Sequence, residues 1–123
     1  MLNNAVYNAY SQSQTGVESQ EKLVEMLYGG ILRFASRIKI AIQNDNIEER
    51  VYYVKRASAI FIELINCLDY DKGGEVAHYL SGLYTRELQL LSLANIENNE
   101  ARVDEVINVV KGLLEAWREV HQK

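Results

Sequence analysis

The chain has 123 residues, 48% of them hydrophobic and 24% charged, with a net charge of −4. That composition describes one globular domain able to bury a core without metal or disulfide staples, and its interleaved acids and bases offer no basic track for a phosphate backbone, which argues against nucleic acid. No apolar run approaches the about 18 residues of a membrane span, and the N-terminus has no basic start, so neither membrane insertion nor a signal peptide is expected and a cytoplasmic home follows.

There is no proline, and strand patterns are missing. Residues 1–18 are rich in Asn, Gln, Ser and Tyr without periodicity and read as a flexible N-terminal arm, leaving 19–123 as the folded domain. The spacing predicts helix one from about Gln20 to Gln43, with Ser19 as N-cap and Leu23, Leu27, Ile31, Phe34, Ile38, Ala41 and Ile42 inward. Asn44 to Asn46 form a break, and Asn46 with Glu49 has capping-box spacing. Helix two follows from about Ile47 to Leu68, with Ile47, Val51, Val54, Ser58, Phe61, Ile65 and Leu68 inward. The lone Cys67 falls in this apolar stretch and reads as a buried, inert thiol in a reducing compartment.

Asp69 to Gly74 is a predicted turn, with Gly73 and Gly74 as the breakers. Helix three runs from about Glu75 to Asn95, with Val76, Leu80, Leu83, Tyr84, Leu88, Leu91 and Ala94 inward. Helix four runs from about Glu100 to His121 with one clean stripe from Val103 to Val120 that includes Trp117. Short connections force neighbours antiparallel. The fold class is all-α: an up-down-up-down four-helix bundle.

Helices two and three carry more apolar surface than one core stripe needs. Tyr53, Ala57, Ile60 and Leu64 form a second line on helix two, turned away from the core centre. Tyr79, Leu90 and Leu93 flank helix three, with Gly82 and Arg86 between them, and helix one adds Met26, Leu32 and Ile40. Such flanks are the edges of a wide core face, a homodimer surface, or a groove for an amphipathic segment of another protein. The residues alone leave all three open. Tyr7 and Tyr10, in a polar arm where no core demands them, favour contact with a partner. An arm of this kind could also cover a bundle groove until a partner displaces it.

Signs of catalysis or metal binding are weak. Glu75 and His78 have the spacing of a di-iron bundle pair, but that chemistry needs two such pairs, and Arg118 stands where the second Glu would precede His121. Asp69 and Asp71 resemble the start of a calcium loop whose twelfth position would be Leu80, not Glu. Gly29 and Gly30 follow no strand and read as a close-approach site within helix one. Glu87 falls in the inward arc of helix three and reads as an edge carboxylate with solvent access. No catalytic set emerges, and no cofactor or metal is expected.

Taken in order, these residues resemble the flagellin export chaperone family, the FliS type. The resemblance covers nearly the whole chain. It lies in Tyr7 and Tyr10, in Glu21 to Gly30 opening helix one, and in Glu63 and Leu64. The block from Leu68 and Asp69 through Gly73 to Ala77, then Leu80, Leu83 and Tyr84, is its most specific part. Leu88, Leu91, Ala94, Asn95, Ala116 and Trp117 complete it. Gln20 stands where the family commonly has Pro at the helix start, and Gly29 replaces an acidic residue, which bears on contacts near Tyr28.

The resemblance implies a cytoplasmic, non-enzymatic chaperone of the flagellar secretion system that needs no nucleotide. Its partners would be the disordered C-terminal segment of flagellin and the flagellar export gate. It would prevent early polymerisation and help deliver flagellin. The expected contacts are Tyr7, Tyr10, Met26, Tyr53, Ile60, Leu64, Tyr79, Leu90 and Leu93. The alternative is a helical adaptor for another flagellar or secretion protein, a regulator or co-chaperone of the same system.

Overall fold

The computed structural model describes residues 9–10 and 17–121, with side chains at 9–10 and 20–120. Four long helices make up almost all of it: α1 (Val17–Gln43), α2 (Ile47–Asn66), α3 (Tyr70–Glu97) and α4 (Glu100–His121). Each helix packs against two others, α1 on α2 and α4, and α3 on α2 and α4. The result is the expected all-α four-helix bundle, with α1 and α3 on one diagonal.

Local chemistry sets the boundaries. The Asn46 side chain accepts from the Glu49 amide at 3.1 Å, satisfying a donor that the first turn of α2 would leave open. Asn98 closes α3 in the left-handed conformation, with φ 53°, and Asn99 accepts from the Ala101 amide at the start of α4. α1 begins at Val17, so Ser19 lies inside the helix and is not its cap.

The predicted turn at Asp69 to Gly74 is instead a first helical turn with a break at its end. Asp69 caps it, accepting from the Asp71 and Lys72 amides. The break falls at Gly74, whose φ of 51° and ψ of −128° suit glycine alone. At Gly30 an added Cβ would stand 2.9 Å from Ile60 Cδ1, the close approach of α1 to α2 expected there. Gly29 has no such neighbour.

The core contains most of the predicted stripes, and α4 follows its pattern closely. Four expectations fail. Ile47 is 62% exposed, because the first residue of α2 projects beyond the packed layer. Ala57, Leu64 and Leu90, expected on outward flanks, are buried, since α2 and α3 each bury an arc facing two neighbours. Glu87 has no exposed surface rather than an edge position. Cys67 is half-buried at the C-cap of α2, its Sγ 3.5 Å from Glu63 Oε2, and burial pushes its thiol up.

Ala9 and Tyr10 depart from the reading of a free arm. Both are helical and fully buried among the bundle side chains. The remainder of that arm, Tyr7 included, lies outside the described residues.

Candidate functional site

Tyr10 is the residue on which the bundle interior converges. Its ring meets Trp117 of α4 edge-on at 6.1 Å between centroids. Its hydroxyl lies 2.8 Å from Tyr84 Oη of α3 and 3.2 Å from the Leu64 carbonyl of α2. Tyr84 Oη in turn lies 2.7 Å from Tyr28 Oη of α1, across the diagonal. One side chain from outside the four helices therefore links all of them.

Each hydroxyl has one proton to give, and a carbonyl only accepts. The Tyr10 hydroxyl points its one proton at both Tyr84 Oη and the Leu64 carbonyl, which share it, while between Tyr28 and Tyr84 either hydroxyl can donate. That carbonyl is in need of a donor, because the Leu68 amide bonds Ile65 O at 3.2 Å and passes over it. Burial raises all three phenols far above their ordinary value, so they stay protonated.

The seat of the inserted residues is shaped by the α2–α3 corner. The Asp69 amide donates to the Ala9 carbonyl at 2.8 Å. Gly73 lies so close that an added Cβ would sit 2.8 Å from Ala9 Cα. A side chain there would collide with backbone.

Outside this interior, the apolar surface falls on separate faces. On α3, Tyr79 is 60% and Leu93 36% exposed, on one helix face with exposed Gly82 and Arg86. Tyr53 and Ile60 are half-buried at the seam of α1 and α2, Tyr53 stacked on Phe34 at 5.8 Å and Ile60 over Gly30. Met26, 67% exposed, projects from α1 on the far diagonal from α3. The predicted contact residues thus divide into an interior set (Tyr10, Leu64, Leu90), a seam set (Tyr53, Ile60) and two outward faces. One continuous trench does not hold them all.

Sequence reasoning missed Tyr28 as a core residue, and Val24 and Ala35 beside it, all buried on α1. The signal was present: positions 24, 28, 31, 35, 38 and 42 make an unbroken 3–4 series. Among the described residues no cluster of His, Cys, Asp or Glu could hold a metal ion. His78 is exposed, its ring tilted at 44° to that of Tyr70 with the centroids 4.7 Å apart. No described helix is long and apolar enough to cross a membrane.

The sequence matches the family described as flagellar protein FliS over residues 2–123. The chain belongs to the FliS family. It is 76% identical over 121 residues to a flagellar secretion chaperone FliS of Campylobacter jejuni, covering 98% of this chain and 94% of that one. The namesake of Vibrio cholerae is 31% identical over 88% of this chain and 79% of its own. That of Bacillus subtilis is 29% identical over 94% and 86%. The FliS family therefore accounts for the whole bundle and most of the arm.

Proposed function

We propose that this chain is a cytoplasmic chaperone that binds the disordered C-terminal segment of flagellin, keeps it from polymerising early and delivers it to the flagellar export gate. Its relatives carry the name flagellar secretion chaperone, which supports the reading at the level of the system. The observation that carries it at the level of residues is the outward face of α3. Tyr79 and Leu93 stand exposed there, and no described helix covers them. A folded chain has no use of its own for that face, whereas an amphipathic guest helix buries it.

Each anchor side chain fully covered contributes roughly 1.5–3 kcal/mol, and several of them offset the about 2–5 kcal/mol of ordering a disordered guest. The seam residues Tyr53 and Ile60 extend the contact towards α1. Tyr10, Leu64 and Leu90 enter it only if the guest takes the place of Ala9 and Tyr10. In that event an apolar guest side chain would stand against Trp117, and a guest donor would bond the Leu64 carbonyl. The steps need no nucleotide and no bond chemistry.

Calorimetric titration with the flagellin C-terminal peptide tests this. Binding with a large negative heat-capacity change is expected, and Tyr79→Asp with Leu93→Asp should abolish it while helical circular dichroism and melting are retained. No binding at tens of micromolar overturns the proposal.

A further inference from the structure

α1 presents a face unlike the one on α3. Lys22, Met26, Gly29, Arg33, Arg37 and Ile40 recur at three- and four-residue spacing along its outward side. Met26 is 67% and Ile40 47% exposed, and the three cations are exposed too. The one acid between Lys22 and Ile40, Glu25, lines the same face beside Met26 and is held by Arg118 at 2.8 Å.

The three cations are unspent. Lys22, Arg33 and Arg37 make no hydrogen bond or ion pair among the described residues, whereas Lys39, on the side of α1 that meets α4, is bound by Asp104 at 2.7 Å. A chain of net charge −4 thus concentrates free positive charge on one helix face. Beside Met26 and Gly29 lies a concavity of about 350 Å³, lined by Lys22, Arg33 and the Glu25–Arg118 pair. An apolar side chain would fill it with cations on its flanks.

We propose that this face of α1 docks an acidic amphipathic helix of a partner protein, distinct from whatever occupies α3. Met26 and Ile40 stand fourteen residues apart, about 21 Å along the axis at 1.5 Å per residue. A partner helix needs apolar side chains at that separation and carboxylates between them, opposite Arg33 and Arg37. Paired charges on such a rim steer encounter and fix register more than they add affinity, and the apolar ends supply the burial. A phosphate backbone would leave Met26 and Ile40 against charge. A bilayer would find only two small anchors, set far apart.

The test uses the full chain and two synthetic helical peptides of about 20 residues. One has leucines at the required spacing with glutamates between them, and the other has lysines for the glutamates. Fluorescence anisotropy should show the acidic peptide binding at low salt, weakening as salt screens the pairs, and the basic peptide not binding. Arg33→Glu with Arg37→Glu should weaken the acidic peptide by at least about tenfold and admit the basic one, with the thermal melt unchanged. Met26→Ala should weaken it as well. Equal binding of both peptides, or indifference to the arginine changes, overturns the proposal. So does binding to phosphatidylglycerol vesicles without peptide binding, or a dimer that the arginine changes dissolve. Flagellin-peptide binding through Tyr79 and Leu93 is read separately, so either proposal can fail alone.

Discussion

Tyr10 and Tyr84 are 74 positions apart in sequence, and their hydroxyl oxygens are 2.8 Å apart in the buried interior. The bond joins a residue of the N-terminal arm to the middle of α3 and makes Tyr10 part of the core. Removing one hydroxyl strands its neighbours without creating much space. Tyr10→Phe leaves both the Leu64 carbonyl and Tyr84 Oη without the hydroxyl that donates to them, so it should destabilise by about 1–3 kcal/mol. Tyr84→Phe breaks two links and should cost at least as much. Because the links polarise one another, the double variant should lose less than the two single losses together. Urea unfolding of the four proteins measures this, and strict additivity would show the hydroxyls to be independent.

Two glycines of α3 should respond to alanine in opposite directions. At Gly73 the new Cβ meets Ala9 Cα at 2.8 Å and Ala77 Cβ at 3.0 Å, and backbone cannot swing aside. Gly73→Ala should push Ala9 and Tyr10 from their seat, at about 1–3 kcal/mol. At Gly82 nothing lies within 4 Å, so Gly82→Ala should stabilise by about 0.5–1 kcal/mol through helix propensity. Trp117 is the single tryptophan and Tyr10 packs on its ring. Its emission should therefore shift in the Gly73 variant and stay put in the Gly82 variant.

Aspartate at Ile60 and at Tyr79 separates seam from surface. Both side chains belong to apolar flanks in the sequence, but Ile60 is packed against the core and touches Gly30, while Tyr79 is 60% exposed. Ile60→Asp should lower the melting temperature markedly, because a carboxylate there loses water without gaining a partner. Tyr79→Asp should change it little. Equal melting of the two variants would place Ile60 on an open surface.

That contrast shows what a sequence of this kind gives and withholds. The α4 stripe is legible because its buried residues, Val103, Val106, Val110, Leu114 and Trp117, keep one unbroken three- and four-residue series, and the Asn46 cap is legible because its partner lies three residues on. The burial of Ala57 and Leu64 is not, because it depends on how far α2 turns between α1 and α3. Tyr10 reads as a partner contact since its polar neighbours give no period; its place in the core is set by Trp117, Tyr84 and Leu64, all distant in sequence. The outward face of α3 is half legible: Tyr79 and Leu93 are exposed as expected, and Leu90 between them is not. The common face of Lys22, Arg33 and Arg37 follows from their spacing, but their lack of partners needed coordinates.

Glu87 supplies a pH dependence whose sign is fixed by its surroundings. The side chain is fully buried, Arg86 reaches Oε2 at 3.0 Å, and Oε1 has no partner. Burial raises its carboxyl above the ordinary 4.5, and Arg86 only partly opposes this. The folded chain thus holds the Glu87 proton at a pH where the unfolded chain has released it. Stability should fall as pH rises from the ordinary carboxyl value through the folded one, and then level off. Glu87→Gln has no proton to lose, so its stability relative to the parent should climb across that window and stay constant above it. Urea midpoints in steps from about pH 4 to 8 read the difference directly. A difference that does not change with pH would mean that Glu87 is ionised in the folded bundle as readily as in water.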